Sequence, residues 1–191
     1  MTALTTARLV LRSWLAEDLA PFTALNADPE TMRFMPRCLN AAESAALVAA
    51  AQAELERRGF GLWAVALRES AQFIGYVGLA VPSFTAHFTP CTEVSWRPQR
   101  DQWGHGYATE AARACLHFAF ATLRLPEVVA FTVPDNLRSR RVMERLGMRR
   151  RAGEDFEHPR LPPGHPLRPH VLYRLARADF ASGGLPLPAG G

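Results

Sequence analysis

The stretch Glu93-Val-Ser-Trp-Arg-Pro-Gln-Arg-Asp-Gln-Trp-Gly-His-Gly-Tyr-Ala-Thr-Glu-Ala-Ala112 constrains this chain more than any other. Residues 93–97 alternate as a strand does, and Pro98 ends the strand because it brings no N–H to the ladder. A turn follows. Gly104-His105-Gly106 then opens an Ala-rich helix whose apolar spacing runs to Leu123. Glycine on both sides of one residue lets the main chain approach a ligand closely. The first N–H groups of a helix have no partner inside it, so such a start is suited to an anion.

Two nucleotide-binding readings of this turn fail. A dinucleotide fingerprint needs a third glycine three residues after Gly106, where the chain has Thr109, and an acidic residue near the end of the next strand. A phosphate-binding P-loop needs Gly-Lys-Ser/Thr, and the chain contains no lysine: all 22 of its basic residues are arginine. The net charge of +4 suits an anionic ligand but is spread too thinly to argue for nucleic acid, and no nucleic-acid partner is expected.

Around this stretch the periodicity predicts strands over 8–12, 62–67, 73–81, 128–133 and 168–174, with a short extended piece after Gly147. Helices are expected over 17–27, 41–58 and 136–146, and Asp28-Pro29-Glu30 reads as a further helix start. The order gives an α+β, or mixed α/β, sheet with helices on its faces. At 191 residues with 48% apolar content, one domain over 1–181 is expected. The Gly-, Pro- and Ala-rich tail, 182–191, is expected to be unstructured. No apolar run approaches the roughly 20 residues of a membrane span, and the N-terminus lacks a basic-then-apolar leader, so a cytoplasmic protein with no membrane partner is expected. Cys38, Cys91 and Cys115 lack metal or disulfide spacing and read as small buried apolar residues.

The chain resembles the GNAT N-acetyltransferase superfamily, in its RimJ/RimL-like branch, which includes ribosomal-protein N-terminal acetyltransferases. The resemblance is carried by Trp103-Gly-His-Gly-Tyr-Ala-Thr-Glu-Ala-Ala112, by Asn136-Leu-Arg-Ser139, and by Glu144-Arg-Leu-Gly-Met148. Arg8-Leu-Val-Leu-Arg12 and Phe73-Ile-Gly-Tyr-Val-Gly78 add to it. The order of these blocks holds over residues 7–180. It implies a central, mostly antiparallel, splayed sheet flanked by helices, acetyl-CoA as co-substrate and an amine-bearing acceptor, a peptide N-terminus or a small amine, with a possible homodimer. Main-chain groups near Ser95, Trp96 and Pro98 would pair with the pantetheine arm. N–H groups of Trp103, Gly104, His105, Gly106, Tyr107 and Ala108 would hold the pyrophosphate. Asn136 would bond the pantetheine, and Ser139 would lie near the thioester sulfur. Arg138, Arg140 and Arg141 lie at the start of the helix after Asn136, where one of them could meet the 3′-phosphate and the others read as a solvated helix face.

Two departures from the family matter. Asp101 stands where the wider superfamily often has Gln or Arg. Met143 stands where many relatives have the tyrosine that protonates the leaving thiolate. Ser139 is therefore the candidate acid, and Glu93, at the start of the strand into the loop, is the candidate base. A third catalytic candidate is His158, in the segment 155–170, which holds three histidines and five prolines. Asp155 and Glu157 flank it and are expected to favour its charged form. The histidine spacing matches no standard ligand set, so no metal is expected. The expected reaction is direct attack of the amine in a ternary complex. The alternative is a module that keeps acetyl-CoA without turnover, a sensor, for which Met143 argues.

Overall fold

The structure, a computed structural model, describes residues 3–182. The chain falls into two compact units. The first takes in the chain up to Leu79 together with Ser95–Cys115. The second takes in Ala80–Val94 and the chain from Leu116 on. The fold is mixed α/β, with a mostly antiparallel open sheet and helices.

In the first unit, strands β1 (Leu4–Thr5), β2 (Leu9–Arg12), β3 (Leu62–Leu67) and β4 (Phe73–Ala80, to Leu79) lie side by side, each antiparallel to the last. Leu9 and Leu11 are fully buried while Val10 and Arg12 alternate with them, so the period-2 reading of 8–12 is met. Each such leucine stabilises the fold by about 1.5–3 kcal/mol on burial. Helix α1 (Leu19–Ala27) packs on α2 (Ala41–Arg58), and α2 packs on β3. Asn40 caps α2 by accepting the Glu43 N–H at 2.9 Å, Glu43 returns the bond to the Asn40 N–H at 2.9 Å, and Gly59 closes the helix at φ 73°. Trp14 and Phe22 meet edge to face at 4.9 Å beneath these helices, and the Trp14 indole donates to the Leu62 carbonyl at 2.8 Å.

The helix start expected at Asp28 is a turn. Asp28 Oδ2 accepts from both the Thr31 N–H (2.9 Å) and its hydroxyl (2.5 Å). This local side-chain bonding competes with helix propagation.

The first unit also holds β5 (Glu93–Pro98) from Ser95 on, and the first part of helix α3 (Tyr107–Ala121). In the second unit the start of β5 runs parallel to β6 (Glu127–Thr132), with Glu93 opposite Val129. A parallel pair needs a crossover, and α3 is the helix that lies between these strands in sequence. Helix α4 (Leu137–Arg145) packs on β6. The sheet of this unit continues through β9 (Pro169–Ala176), antiparallel to β6 over six residue pairs. β7 (Arg149–Arg150) and β8 (Phe156–Glu157) pair with β9, and α5 (Arg177–Ser182) packs on it. Among the described residues no helix is long and apolar enough to cross a membrane. Cys115 is buried as expected, whereas Cys38 is exposed. The tail expected to be unstructured lies outside the described residues, except Ser182, which ends α5.

Candidate functional site

The Gly104-His105-Gly106 turn sits in the first unit, with Gly104 and His105 exposed. Gly104 and Gly106 take φ of +83° and +81°, a region L side chains rarely adopt, so this turn requires glycine twice. The first helical bond of α3 is donated by Glu110 to the Gly106 carbonyl. The N–H groups of Tyr107, Ala108 and Thr109 precede it, and helix geometry leaves them without a partner in the helix. They carry the positive end of a 15-residue helix.

A shallow, half-open pocket lies beside this turn. Gly75 and Tyr76 of β4, Trp96 and Pro98 of β5, and Tyr107 and Ala108 of α3 line it. Four residues expected to hold the co-substrate are thus brought together. β4 allows β5 this close because Gly75 has no side chain: a Cβ there would stand 2.3 Å from the Arg97 carbonyl oxygen. Trp103 reaches back and donates its indole N–H to the Pro98 carbonyl at 3.2 Å. Ser95 lies on β5, partly exposed.

A bracket that sequence reasoning did not assign holds the turn in place. Glu110 accepts from the Thr6 hydroxyl at 2.6 Å, the Arg8 N–H at 2.9 Å and Arg8 Nε at 2.7 Å. Arg8 Nη1 donates to the His105 carbonyl at 3.1 Å, and its guanidinium carbon lies 4.6 Å over the Tyr107 ring. Burial alone would raise the Glu110 carboxyl, but the bonds from Thr6 and Arg8 outweigh it and lower it. The signal was in the sequence, since Arg8 opens one of the blocks read there, but nothing in it named Glu110 as the partner.

The second unit holds the other expected residues. Asn136 caps α4, its Oδ1 accepting the Ser139 N–H at 3.3 Å while its Nδ2 donates to Thr132 Oγ1 at 3.0 Å. Ser139 is partly exposed in the first turn of α4. Met143 is 1% exposed, a core side chain on the opposite side of its helix from solvent. Arg140 donates to the Pro134 carbonyl and the Tyr173 hydroxyl, which itself donates to Glu144 at 3.0 Å.

Glu93 keeps some exposure as a residue, but burial of its carboxyl pushes the pKa up to about 8, with no cation offsetting it. Burial also raises the Cys91 thiol to about 11, with Glu93 adding to the shift, and raises Cys115 further. His158 sits among aromatic rings. Its pKa is lowered, by burial first and then by His170 and Arg160, which reverses the expectation that flanking acids would charge it. The flanking acids lie in ion pairs, Asp155 with Arg150 and Glu157 with Arg168 at 2.9 Å. Among the described residues no group of three or more His, Cys, Asp and Glu side chains is placed to hold a metal.

Comparison with known proteins agrees in family. The sequence model of the Acetyltransferase (GNAT) domain matches residues 8–149. The uncharacterized Bacillus subtilis (strain 168) protein YkkB is 32% identical over 148 residues, covering 77% of this chain and 85% of that one. The uncharacterized N-acetyltransferase YnaD of the same organism is 29% identical over 93% of this chain and 98% of its own. Among solved structures, an acetyltransferase from Agrobacterium tumefaciens str. C58 superposes with a TM-score of 0.74 at 28% identity, covering 92% of this chain and 94% of that one.

Proposed function

The chain belongs to the GNAT acetyltransferase family, and from that premise we propose that it moves the acetyl group of acetyl-CoA to a primary amine by direct attack in a ternary complex. The reading assigns residues 1–181 to this one activity, in the RimJ/RimL-like branch. The observation that carries it is the Gly104-His105-Gly106 turn, exposed at Gly104 and His105, which opens α3 beside a pocket lined by Trp96, Pro98, Tyr107 and Ala108.

In this reading the N–H groups from Gly104 to Ala108 receive the pyrophosphate, whereas that of Trp103, expected among them, is given to the Arg100 carbonyl at 3.2 Å; no metal is needed because the amides and the helix dipole neutralise the charge. The main chain at Ser95, Trp96 and Pro98 pairs with the amides of the pantetheine arm as a further strand would. Asn136 binds the same arm, and Ser139 lies by the sulfur. Glu93 takes the ammonium proton, directly or through water. Its pKa of about 8 is matched to an α-amine of pKa about 8 far better than to a lysine amine near 10.4. The amine then attacks the thioester carbonyl and the C–S bond breaks, while the proton that the nitrogen sheds on becoming an amide passes to the departing thiolate through Ser139 or water, which is left unchanged. Raised thiols at Cys91 and Cys115 stay protonated at neutral pH, which supports attack without an acyl-enzyme.

The test is calorimetric titration with acetyl-CoA, followed by thiol release across a panel of peptides and small amines. Binding that Gly106→Val weakens more than tenfold, with thiol release from at least one amine, is the expected result. Absence of binding by the unmodified chain would overturn the reading. Tight binding without thiol release from any acceptor would favour the sensor alternative, to which the buried Met143 lends its weight.

A further inference from the structure

Helix α1 ends on a polar side chain that the reaction leaves unused. Asn26, next to last in the helix, is fully buried, although asparagine is a poor helix former. A buried amide is costly unless it finds partners. Here the partners come from across the first unit. Asn26 Oδ1 accepts from Arg97 Nη1 at 2.9 Å, Nδ2 donates to Ser44 Oγ at 3.1 Å, and the Asn26 carbonyl accepts the Leu39 N–H at 2.9 Å. A guanidinium only donates, so the amide oxygen must face Arg97 and the amide nitrogen must face the Ser44 hydroxyl. One side chain thus ties the end of α1 to α2 and to β5.

Arg97 is the point at which β5 is reached. Its neighbours Trp96 and Pro98 line the pocket, and side chains alternate along a strand, so Arg97 projects from the opposite face. There its guanidinium carbon lies 5.3 Å from the centroid of the Tyr76 ring of β4, which Phe22 of α1 meets edge to face at 6.1 Å. Phe22 and Asn26 stand four residues apart, on one face of α1. The helix therefore holds Arg97 twice, through the hydrogen bond from Asn26 and through the ring that Phe22 sets against the guanidinium. The main chain here is held as well. The Arg97 carbonyl stands where a Cβ on Gly75 would meet it, and the Gln99 N–H, two residues on, is donated to the Ile74 carbonyl at 2.8 Å.

We propose that Asn26 and Arg97 are positioning residues for acetyl-CoA: α1 clamps β5 from the face away from the pocket and so sets where the main chain of Ser95, Trp96 and Pro98 stands. This rests on the acetyltransferase reading, in which that main chain receives the amides of the pantetheine arm. An N–H···O bond weakens once its atoms part beyond about 3.2 Å. A strand that is to pair with the arm binds it best when already held in place, because no ordering cost is then left for the ligand to meet. The clamp acts on the arm and not on the diphosphate, since the Gly104-His105-Gly106 turn is braced separately by Arg8 and Glu110.

Calorimetric titration with acetyl-CoA and with adenosine diphosphate, which carries the diphosphate without the amide arm, reads the two parts of the site separately. Asn26→Leu and Arg97→Met are each expected to raise the dissociation constant for acetyl-CoA about tenfold, the worth of one hydrogen bond, with that for adenosine diphosphate unchanged. The double variant is expected to bind no more weakly than either single one, since both remove the same contact. Asn26→Asp keeps an acceptor for Arg97, and the Ser44 hydroxyl can turn to donate to it, so this variant is expected to bind acetyl-CoA as the parent does. Ser44→Ala removes the other bond of the amide and is expected to lower the melting temperature while leaving both constants alone. If Asn26→Leu does not fold, Arg97→Met, at a partly exposed position, carries the comparison. An unchanged acetyl-CoA constant in Arg97→Met, equal weakening of both ligands, or effects that add in the double variant overturns the proposal. So does Ser44→Ala binding acetyl-CoA as poorly as Asn26→Leu. A parent chain that binds no acetyl-CoA overturns the acetyltransferase reading itself, whereas a parent that binds it and variants that bind it equally well overturn the clamp alone.

Discussion

Arg8 grips Glu110 through Nε at 2.7 Å and Nη2 at 2.6 Å, and the same guanidinium reaches the His105 carbonyl at 3.1 Å. The edge of the sheet and the first turn of α3 are thereby tied to the glycine turn between them. Arg8 is about half exposed, with side-chain exposure of 48%, so its ion pair alone is worth less than about 1 kcal/mol of stability. Its larger effect falls on the turn. Arg8→Ala is expected to weaken acetyl-CoA binding about fivefold, the worth of one lost hydrogen bond, while the melting temperature moves little. Calorimetry and thermal melts on the same sample check this, and equal dissociation constants would remove Arg8 from the cradle.

Glu110 adds a pH dependence. Its folded pKa is lowered from the ordinary 4.5, so the stability it contributes is present above that value and is lost as pH falls through the folded pKa. Glu110→Gln is therefore expected to flatten the acid end of the stability profile. Chemical denaturation at a series of acid pH values reads this directly, and parallel curves for the two proteins would count against it.

Glu93 behaves in the opposite sense. Its folded pKa of about 8 lies above the ordinary 4.5, so the folded state holds a proton the unfolded state releases, and stability falls as pH rises between those values. Glu93→Gln is expected to be more stable than the parent above pH 8. The parent rate is expected to rise with pH until the carboxyl is ionised, and the variant should lose that limb while binding acetyl-CoA as before. A pH–rate profile of unchanged shape would take Glu93 out of the reaction.

Gly75→Ala is expected to cost about 3 kcal/mol or more, because φ is +135° and the new Cβ would fall 2.3 Å from the Arg97 carbonyl oxygen. Gly147→Ala, at φ +80° with nothing within 4 Å, serves as the comparison and is expected to cost about 1 kcal/mol. Denaturant melts that rank the two the other way would mean that β5 can yield.

Asn40→Ala, remote from the turn, is expected to cost about 1 kcal/mol of stability through the lost cap of α2, with kinetics unaltered. A change in KM for acetyl-CoA would show that α2 is coupled to the pocket.

What could be read from the sequence depended on how local the cause was. The bounds of α2 follow from a cap, a run of alanines and a closing glycine, all neighbours in sequence, and the strand at 8–12 follows from simple alternation. The glycine turn was legible for the same reason. Asp28 misled because an aspartate before Pro29 serves a turn and a helix start alike, and only the two bonds from Thr31 decide between them. Glu110 and Arg8 are 102 positions apart, and no spacing rule links them. The charge state of His158 was misjudged because its burial, against rings brought in from other segments, cannot be read from the residues that flank it in sequence.

Every salt bridge described in this fold, from Arg12 with the buried Asp18 to Arg174 between Glu127 and Glu154, has a guanidinium as its cation. A transferase that handles an activated acyl donor normally risks labelling its own ε-amines. This chain has none to label, so its electrostatic scaffold is chemically inert towards the reagent it carries.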